Sequence, residues 1–357
     1  MRVIVIDDSA FMRRAITRML TSAPDIEVIG TARNGREGLE MVQRLRPDVV
    51  TLDIEMPEMD GLTALSRIMR DCPTQVIMLS SLTTEGSHAA LRALCLGAAD
   101  VLAKDTSQVS LSIDNIRDEL IARVRALGAR AERQNRPQPV AAAAVPVFRP
   151  GQFDVICIGS STGGPPVLET ILAKLPQTLA TPIVVAQHMP ALFTRSMAER
   201  LNELCQLPVK HAEDGMPLEP RTIYIAPGAQ HIHIHKLSLA RWELRVNDEP
   251  KTAIYRPSVD ALFESAAQAM QSRVLAIVLT GIGNDGLAGA RELHSRGAVI
   301  LAQSEETCVV YGMPKAVTQA ALPIACLPPC DIAKAIATLA VKPAATPSTA
   351  TLKFTAR

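Results

Sequence analysis

From residue 2 the chain alternates short β-branched apolar runs with stretches in which apolar residues recur every three or four positions. "RVIVID", "EVIGTA", "DVVTLD", "QVIMLS" and "DVLAK" are the first five runs. Their continuous hydrophobicity predicts strands buried on both faces, hence an α/β unit with a doubly wound, five-stranded parallel sheet. The helical spacing of "LSIDNIRDELIARVRAL" closes this unit at residue 127. Residues 128–151, "GARAERQNRPQPVAAAAVPVFRPG", lack periodicity, contain several prolines and read as a flexible linker. A second alternation fills 152–342 with "FDVICIG", "TPIVVAQ", "RTIYIAPG", "VLAIVLTG" and "AVILAQS". It predicts a second α/β unit with a mostly parallel sheet and an antiparallel hairpin at "QHIHIHKLSLARWELRV". Residues 343–357 read as a tail, and the two units share no internal repeat.

Composition narrows the function classes. The 357 residues are 48% hydrophobic, enough for two cores. With 37 Lys plus Arg against 36 Asp plus Glu, the formal charge of +1 supplies no long-range attraction to nucleic acid or anionic lipid. Seven scattered cysteines without a C-x-x-C pair read as reduced core residues. The start "MRVIVIDDSAFMRR" turns acidic where a signal peptide would stay apolar. No run reaches the roughly 18 apolar residues of a membrane span. These features lead us to expect a cytoplasmic protein without membrane insertion or nucleic-acid binding.

In an open parallel sheet, functional groups belong at the carboxyl ends of strands. In the first unit those ends carry Asp7 and Asp8, Asp53, Ser80 and Lys104. Three converging carboxylates repel one another unless a hard cation sits among them, which predicts Mg²⁺ held by Asp7, Asp8 and Asp53. Lys104 and the Ser80 hydroxyl would suit the oxygens of a phosphoryl group carried on Asp53. Taken singly, Asp7 or Asp8 could simply cap the following helix.

In the second unit "GSSTG", residues 159–163, fits G-x-S-x-G between a strand and a helix, with Ser161 at its centre. A serine nucleophile needs a base and an orienting acid, and the same strand ends offer His188 in "VVAQHMP" and Asp285 in "VLTGIGNDG". The order Ser, His, Asp differs from that of α/β-hydrolases. A rival reading takes "GIGNDG", residues 281–286, as G-x-G-x-x-G of a dinucleotide site, but Asp285 would then bring negative charge to the pyrophosphate. His231, His233 and His235 alternate onto one strand face without zinc spacing, and read as polar residues on the wet side of an edge strand. His211 and His294 receive no role, and Ser160 reads as a turn residue.

The first unit resembles the receiver domain of response regulators through Asp7, Asp8, "LDIEMPEMDG", "VIMLSS" and Lys104. It departs from that pattern at Asp105, where proline is usual, and at Val101, which excludes an aromatic switch there. "GSSTGGP", "QHMPALFTRSMAERL", "AEDGMPL", "LTGIGNDGLAGA" and "CVVYGMPKAV" resemble the catalytic domain of chemotaxis-specific protein-glutamate methylesterases. That resemblance implies phosphorylation-activated hydrolysis of glutamate γ-methyl esters on chemoreceptors, with deamidation of receptor glutamines. It implies Ser161, His188 and Asp285 as the catalytic set, with support from Thr162 and from the backbone around Ile282 and Gly283. Position 282 often holds methionine in the family. The implied partners are methyl-accepting chemotaxis receptors and a chemotaxis histidine kinase, and ester hydrolysis would need no cofactor. The alternative from another class is a phosphorylation-controlled binding protein with a different target.

Overall fold

In the computed structural model, residues 1–81, 83–104, 112–134, 144–238 and 241–341 are described. The five apolar runs of the first unit become β1 (Arg2–Ile6), β2 (Glu27–Ala32), β3 (Val49–Asp53), β4 (Gln75–Ser81) and β5 (Asp100–Lys104). They pair in parallel in the order β2-β1-β3-β4-β5. Its helices are α1 (Ala10–Thr21), α2 (Gly35–Leu45), α3 (Gly61–Asp71), α4 (Thr84–Cys95) and α5 (Ser112–Gln134). The first four begin at Ser9, Asn34, Asp60 and Thr83, whose side chains each accept the N–H three residues on. Strand order reverses between β1 and β3, so the crevice of this sheet opens at their carboxyl ends.

The apolar spacing placed the end of α5 at residue 127, but the helix continues to Gln134. Its added stretch is rich in Ala, Arg and Glu, which favour helix without an apolar stripe to reveal it. At the other end of the expected linker Phe148 is buried, and its N–H donates to Thr338 Oγ1 at 2.8 Å. Asp105 and the expected tail, 343–357, lie outside the described residues.

The second unit contains β6 (Val155–Ser160), β7 (Ile183–Gln187), β8 (Val209–His211), β9 (Ile223–Ile225), β10 (His231–Ser238), β11 (Arg241–Asn247), β12 (Val274–Val278), β13 (Val299–Gln303) and β14 (Ala325–Leu327). Around them lie α6 (Gly164–Leu172), α7 (Ala191–Leu204), α8 (Val259–Met270), α9 (Leu287–Ser295), α10 (Met313–Gln319) and α11 (Pro329–Ala337). The large sheet runs β14-β13-β12-β6-β7-β9-β8 with parallel pairing throughout, while β10 and β11 form a separate antiparallel ribbon. Strand β6 is buried along its whole length and sits where the order reverses, with β7 on one side and β12 on the other. The ribbon buries Ile232, Ile234 and Leu244 beneath α8.

One expectation about the ribbon is corrected. His231 is not on a wet face: it is fully buried, with Nδ1 accepting the N–H of Ser258 at 3.1 Å. The segment after β11 folds back over the start of β10, and His233 Nε2 lies 2.9 Å from the Glu249 carbonyl oxygen. Only His235, further along, is exposed.

The two units pack together through α4, which lies against α7 and α6. There the hydroxyls of Ser87 and Ser196 meet at 2.7 Å in a buried setting. One apolar cluster continues through this contact, from Leu91 and Leu94 to Leu168, Met197 and Leu201. None of the seven cysteines, all of them among the described residues, is joined in a disulfide. Among the described residues no helix is long and apolar enough to cross a membrane.

Leu168 of α6 has no solvent exposure. Leu168→Ala is expected to destabilise the second unit by roughly 2–5 kcal/mol, lost transfer energy plus a cavity. The emission of Trp242, the only tryptophan in the chain, reports on that unit and should show a lower urea midpoint.

Candidate active site

The turn after β6 is shaped by glycine at two places. Gly163 adopts φ +76°, and a Cβ there would come within 2.4 Å of the Val309 Cβ. A Cβ on Gly164 would lie 2.1 Å from Gln187 Oε1, so only glycine lets α6 start this close to β7. Pro165 and Pro166 follow in the first turn, where no N–H partner is required. The result presents Ser161 between the end of β6 and the start of α6, only 7% exposed.

Gln187 closes off the end of β7 with a buried amide. Its Oε1 accepts the Ser160 hydroxyl at 2.6 Å, and its Nε2 donates to the carbonyl oxygens of Ser161 at 2.9 Å and His188 at 3.1 Å. Ser160 is therefore committed to holding the turn, in agreement with its reading as a turn residue. Ser161 N–H donates to the Thr280 carbonyl at 3.0 Å, and Thr280 Oγ1 donates to the Thr162 carbonyl at 2.9 Å, which ties the turn to the end of β12.

His188 and Asp285 meet directly: Nε2 lies 2.7 Å from Asp285 Oδ2. The carboxylate sits at the N-terminus of α8. Its Oδ2 also accepts Val259 N–H at 2.7 Å, and Oδ1 accepts Ser258 Oγ, Asp260 N–H and Gly286 N–H, each at 3.0 Å. Burial pushes this carboxyl up, but the hydrogen bond and charge of His188 and the N–H groups of Asp260 and Val259 outweigh it and hold it at about 2. Neighbouring Asp260 goes the other way, to about 6, because burial and the Asp285 charge exceed what Gly289 N–H returns. With Asp285 accepting the hydrogen bond of Nε2–H, Nδ1 keeps the lone pair. Nδ1 is buried and has no hydrogen-bond partner among the described residues. Ser161 Oγ likewise makes no hydrogen bond among them; the Gln187 amide ties the two residues together through their carbonyl oxygens.

The residues expected to assist lie under the first unit. Thr162 Oγ1 donates to Asp100 Oδ2 at 2.5 Å, and Arg123 Nε donates to the same oxygen at 2.7 Å. Ile282 and Val309 pack against the apolar cluster of the first unit, which also includes Val310. Gly283 adopts φ +80°, and the Tyr255 hydroxyl would stand 3.5 Å from a Cβ placed on it. Tyr255 itself stacks on His188, ring centroids 4.3 Å apart and planes within 10°. Tyr255, Ser258 and Gln187 went unnoticed in the sequence, since none sits in a motif with catalytic spacing. Residue 187 did close an apolar strand directly before His188, the one signal that could have drawn attention to it.

In the first unit, carboxylate oxygens of Asp7, Asp8 and Asp53 come within 4.8 Å of one another. Such hard oxygen donors fit Mg²⁺. Lys104 Nζ bridges Asp7 Oδ2 at 2.8 Å and Asp53 Oδ1 at 2.7 Å. Burial raises the Asp53 carboxyl above its usual range; Lys104 pulls against this, and the Asp7 charge adds to it. The Ser80 hydroxyl donates to the Gly86 carbonyl at 2.9 Å instead of facing the carboxylates.

Comparison with known proteins matches both units. The family model "CheB methylesterase" covers residues 156–336, and "Response regulator receiver domain" covers 3–113. The chain is 46% identical over 362 residues to the protein-glutamate methylesterase/protein-glutamine glutaminase 1 of Oleidesulfovibrio alaskensis, spanning 94% of this chain and 98% of that protein. A relative of the same name from Geobacillus kaustophilus is 46% identical over 347 residues, covering 95% of this chain and 98% of its own. The crystal structure of the Thermotoga maritima CheB methylesterase catalytic domain superposes with a TM-score of 0.51 at 40% identity, covering 52% of this chain and 98% of that one. A chain that shares nearly half its residues with these proteins over almost its full length belongs to the CheB methylesterase family, with a response regulator receiver domain at its N-terminus.

Proposed function

We propose that Ser161, His188 and Asp285 hydrolyse the γ-methyl ester of glutamate side chains on chemoreceptors, releasing methanol, and deamidate receptor glutamines by the same attack. The observation that carries this reading is the His188–Asp285 pair, with Nε2 committed to the carboxylate and Nδ1 unpartnered. The Ser161 hydroxyl attacks the side-chain carbonyl carbon while Nδ1 takes its proton. Asp285 keeps the proton on Nε2 and stabilises the imidazolium, without itself being protonated. Collapse of the tetrahedral intermediate expels methanol, or ammonia from an amide, with the proton returned by His188. Water then attacks the acyl-serine by the same route and leaves a glutamate carboxylate. N–H groups of the turn at Thr162 and of the loop at Ile282 and Gly283 are the candidate donors to the oxyanion. The names of the relatives favour this enzyme over a binding protein.

The receiver supplies control. Asp53 is the phosphoacceptor, and Asp7, Asp8 and Asp53 would hold Mg²⁺, which supplies charge neutralisation for phosphoryl transfer when bound. Lys104, already on Asp53, is placed to follow the added charge. A histidine kinase of the chemotaxis pathway is the phosphodonor, and the reaction takes place in the cytoplasm. The receiver covers the hydroxyl of Thr162 with Asp100 and the flank of the site with α4 on α7. Phosphorylation raises activity by as much as it favours the surface that is freed.

Ser161→Ala, His188→Ala and Asp285→Ala are each expected to lower methanol release from methylated receptor membranes by orders of magnitude, and double variants should be little worse, because the three act as one unit. Additive losses would show that they do not. Labelling by acetyl phosphate should need Mg²⁺ and vanish in Asp53→Asn; persistent labelling would place the phosphoryl group elsewhere. A chain lacking residues 1–145 should release methanol faster than the unphosphorylated full chain and ignore phosphodonors. Equal rates on receptor membranes would rule out obstruction by the receiver.

A further inference from the structure

We propose that Tyr255 is a positioning residue for this reaction, its ring holding the imidazole of His188 in the plane it shares with Asp285 and stabilising the imidazolium. The inference rests on His188 being the base. A single hydrogen bond at Nε2 fixes one point of the ring and leaves it free to swing about that axis. Nδ1, the atom that must face the serine, has no hydrogen-bond partner among the described residues to stop this swing. The flat ring of Tyr255, 4.3 Å away and within 10° of parallel, blocks it from the face. An imidazole that gains a proton also gains attraction to an aromatic face, so the stack strengthens as charge develops.

The chain segment explains why these contacts come together. Residues 255–260 grip both members of the pair: Tyr255 lies on the imidazole, while Ser258, Val259 and Asp260 donate to the carboxylate. The phenol is partly buried, and its hydroxyl stands beside Gly283. Burial raises the phenol's pKa, with Arg123 of the receiver opposing, so the hydroxyl stays neutral at physiological pH. The face of the ring, not its acidity, is therefore what acts on His188.

The test uses the full-length protein, phosphorylated with acetyl phosphate, on methylated receptor membranes. Tyr255→Leu should lower kcat by roughly ten- to a hundred-fold with KM nearly unchanged, the scale of a small misplacement of a catalytic group. Tyr255→Phe should recover most of that loss, because the ring remains. Proton NMR of labelled histidine should show the His188 ring signals moving downfield in Tyr255→Leu as the ring current disappears. If Tyr255→Leu does not fold, Tyr255→Met gives a side chain of similar length without a flat face and should show the same loss. The inference is overturned if the Leu or Met variant keeps kcat within twofold, if only KM changes, or if Tyr255→Phe is as impaired as Tyr255→Leu. Activity retained in His188→Ala would sink the assignment of the base and this inference with it. Loss in His188→Ala without loss in Tyr255→Leu would sink this inference alone.

Discussion

A carboxylate nearly out of solvent, held at about 2, organises the second unit. Burying such a charge is tolerable only when every lone pair finds a donor; removing one partner of a buried pair typically costs about 3–5 kcal/mol. Asp285 meets this demand by sitting on the first turn of α8, where N–H groups have no partner within the helix and the dipole favours negative charge. That choice fixes the rest of the neighbourhood. Helix α8 must start beside the loop after β12, the preceding segment must cross the imidazole, and His231 must turn a nitrogen toward Ser258.

The strand order supplies the complementary constraint. Ser161 leaves β6, His188 leaves β7 and Asp285 follows β12, three adjacent strands around the point where the order reverses. Gln187 then sets Ser161 and His188 relative to each other through their backbone carbonyls, at the end of β7. The receiver repeats the logic with other chemistry, placing Asp7, Asp8 and Asp53 where β1 and β3 separate. Both crevices arise where the order of a parallel sheet reverses.

How much of this the sequence disclosed depends on how local each signal was. Strands buried on both faces appear as unbroken apolar runs, and polar residues directly after them, such as Asp53, Ser161 and His188, stand out. Strands β8 and β14, three residues each, are too short to stand out as such runs. Residues 128–134 hid their helix because Ala, Arg, Glu and Gln favour helix without tracing an apolar stripe. Tyr255, Ser258 and the burial of His231 depend on how one loop folds back across another, a long-range fact that no short pattern records. Thr162 was legible as a neighbour of the serine, but its bond to Asp100 joins two separately folded units.

The bond between Thr162 and Asp100 has a thermodynamic corollary. Under the proposed obstruction, a receptor segment entering the site and the receiver resting on it would compete for one surface, so the two occupancies would be linked. On the proposed reading linkage is reciprocal: whatever factor phosphorylation of Asp53 would contribute to receptor binding, receptor binding would contribute to the phosphorylation equilibrium. An abundance of methylated receptor would then bias the receiver toward its phosphorylated form even at constant kinase output. The adaptation enzyme would thus sense the load of its own substrate as well as the signal from its kinase.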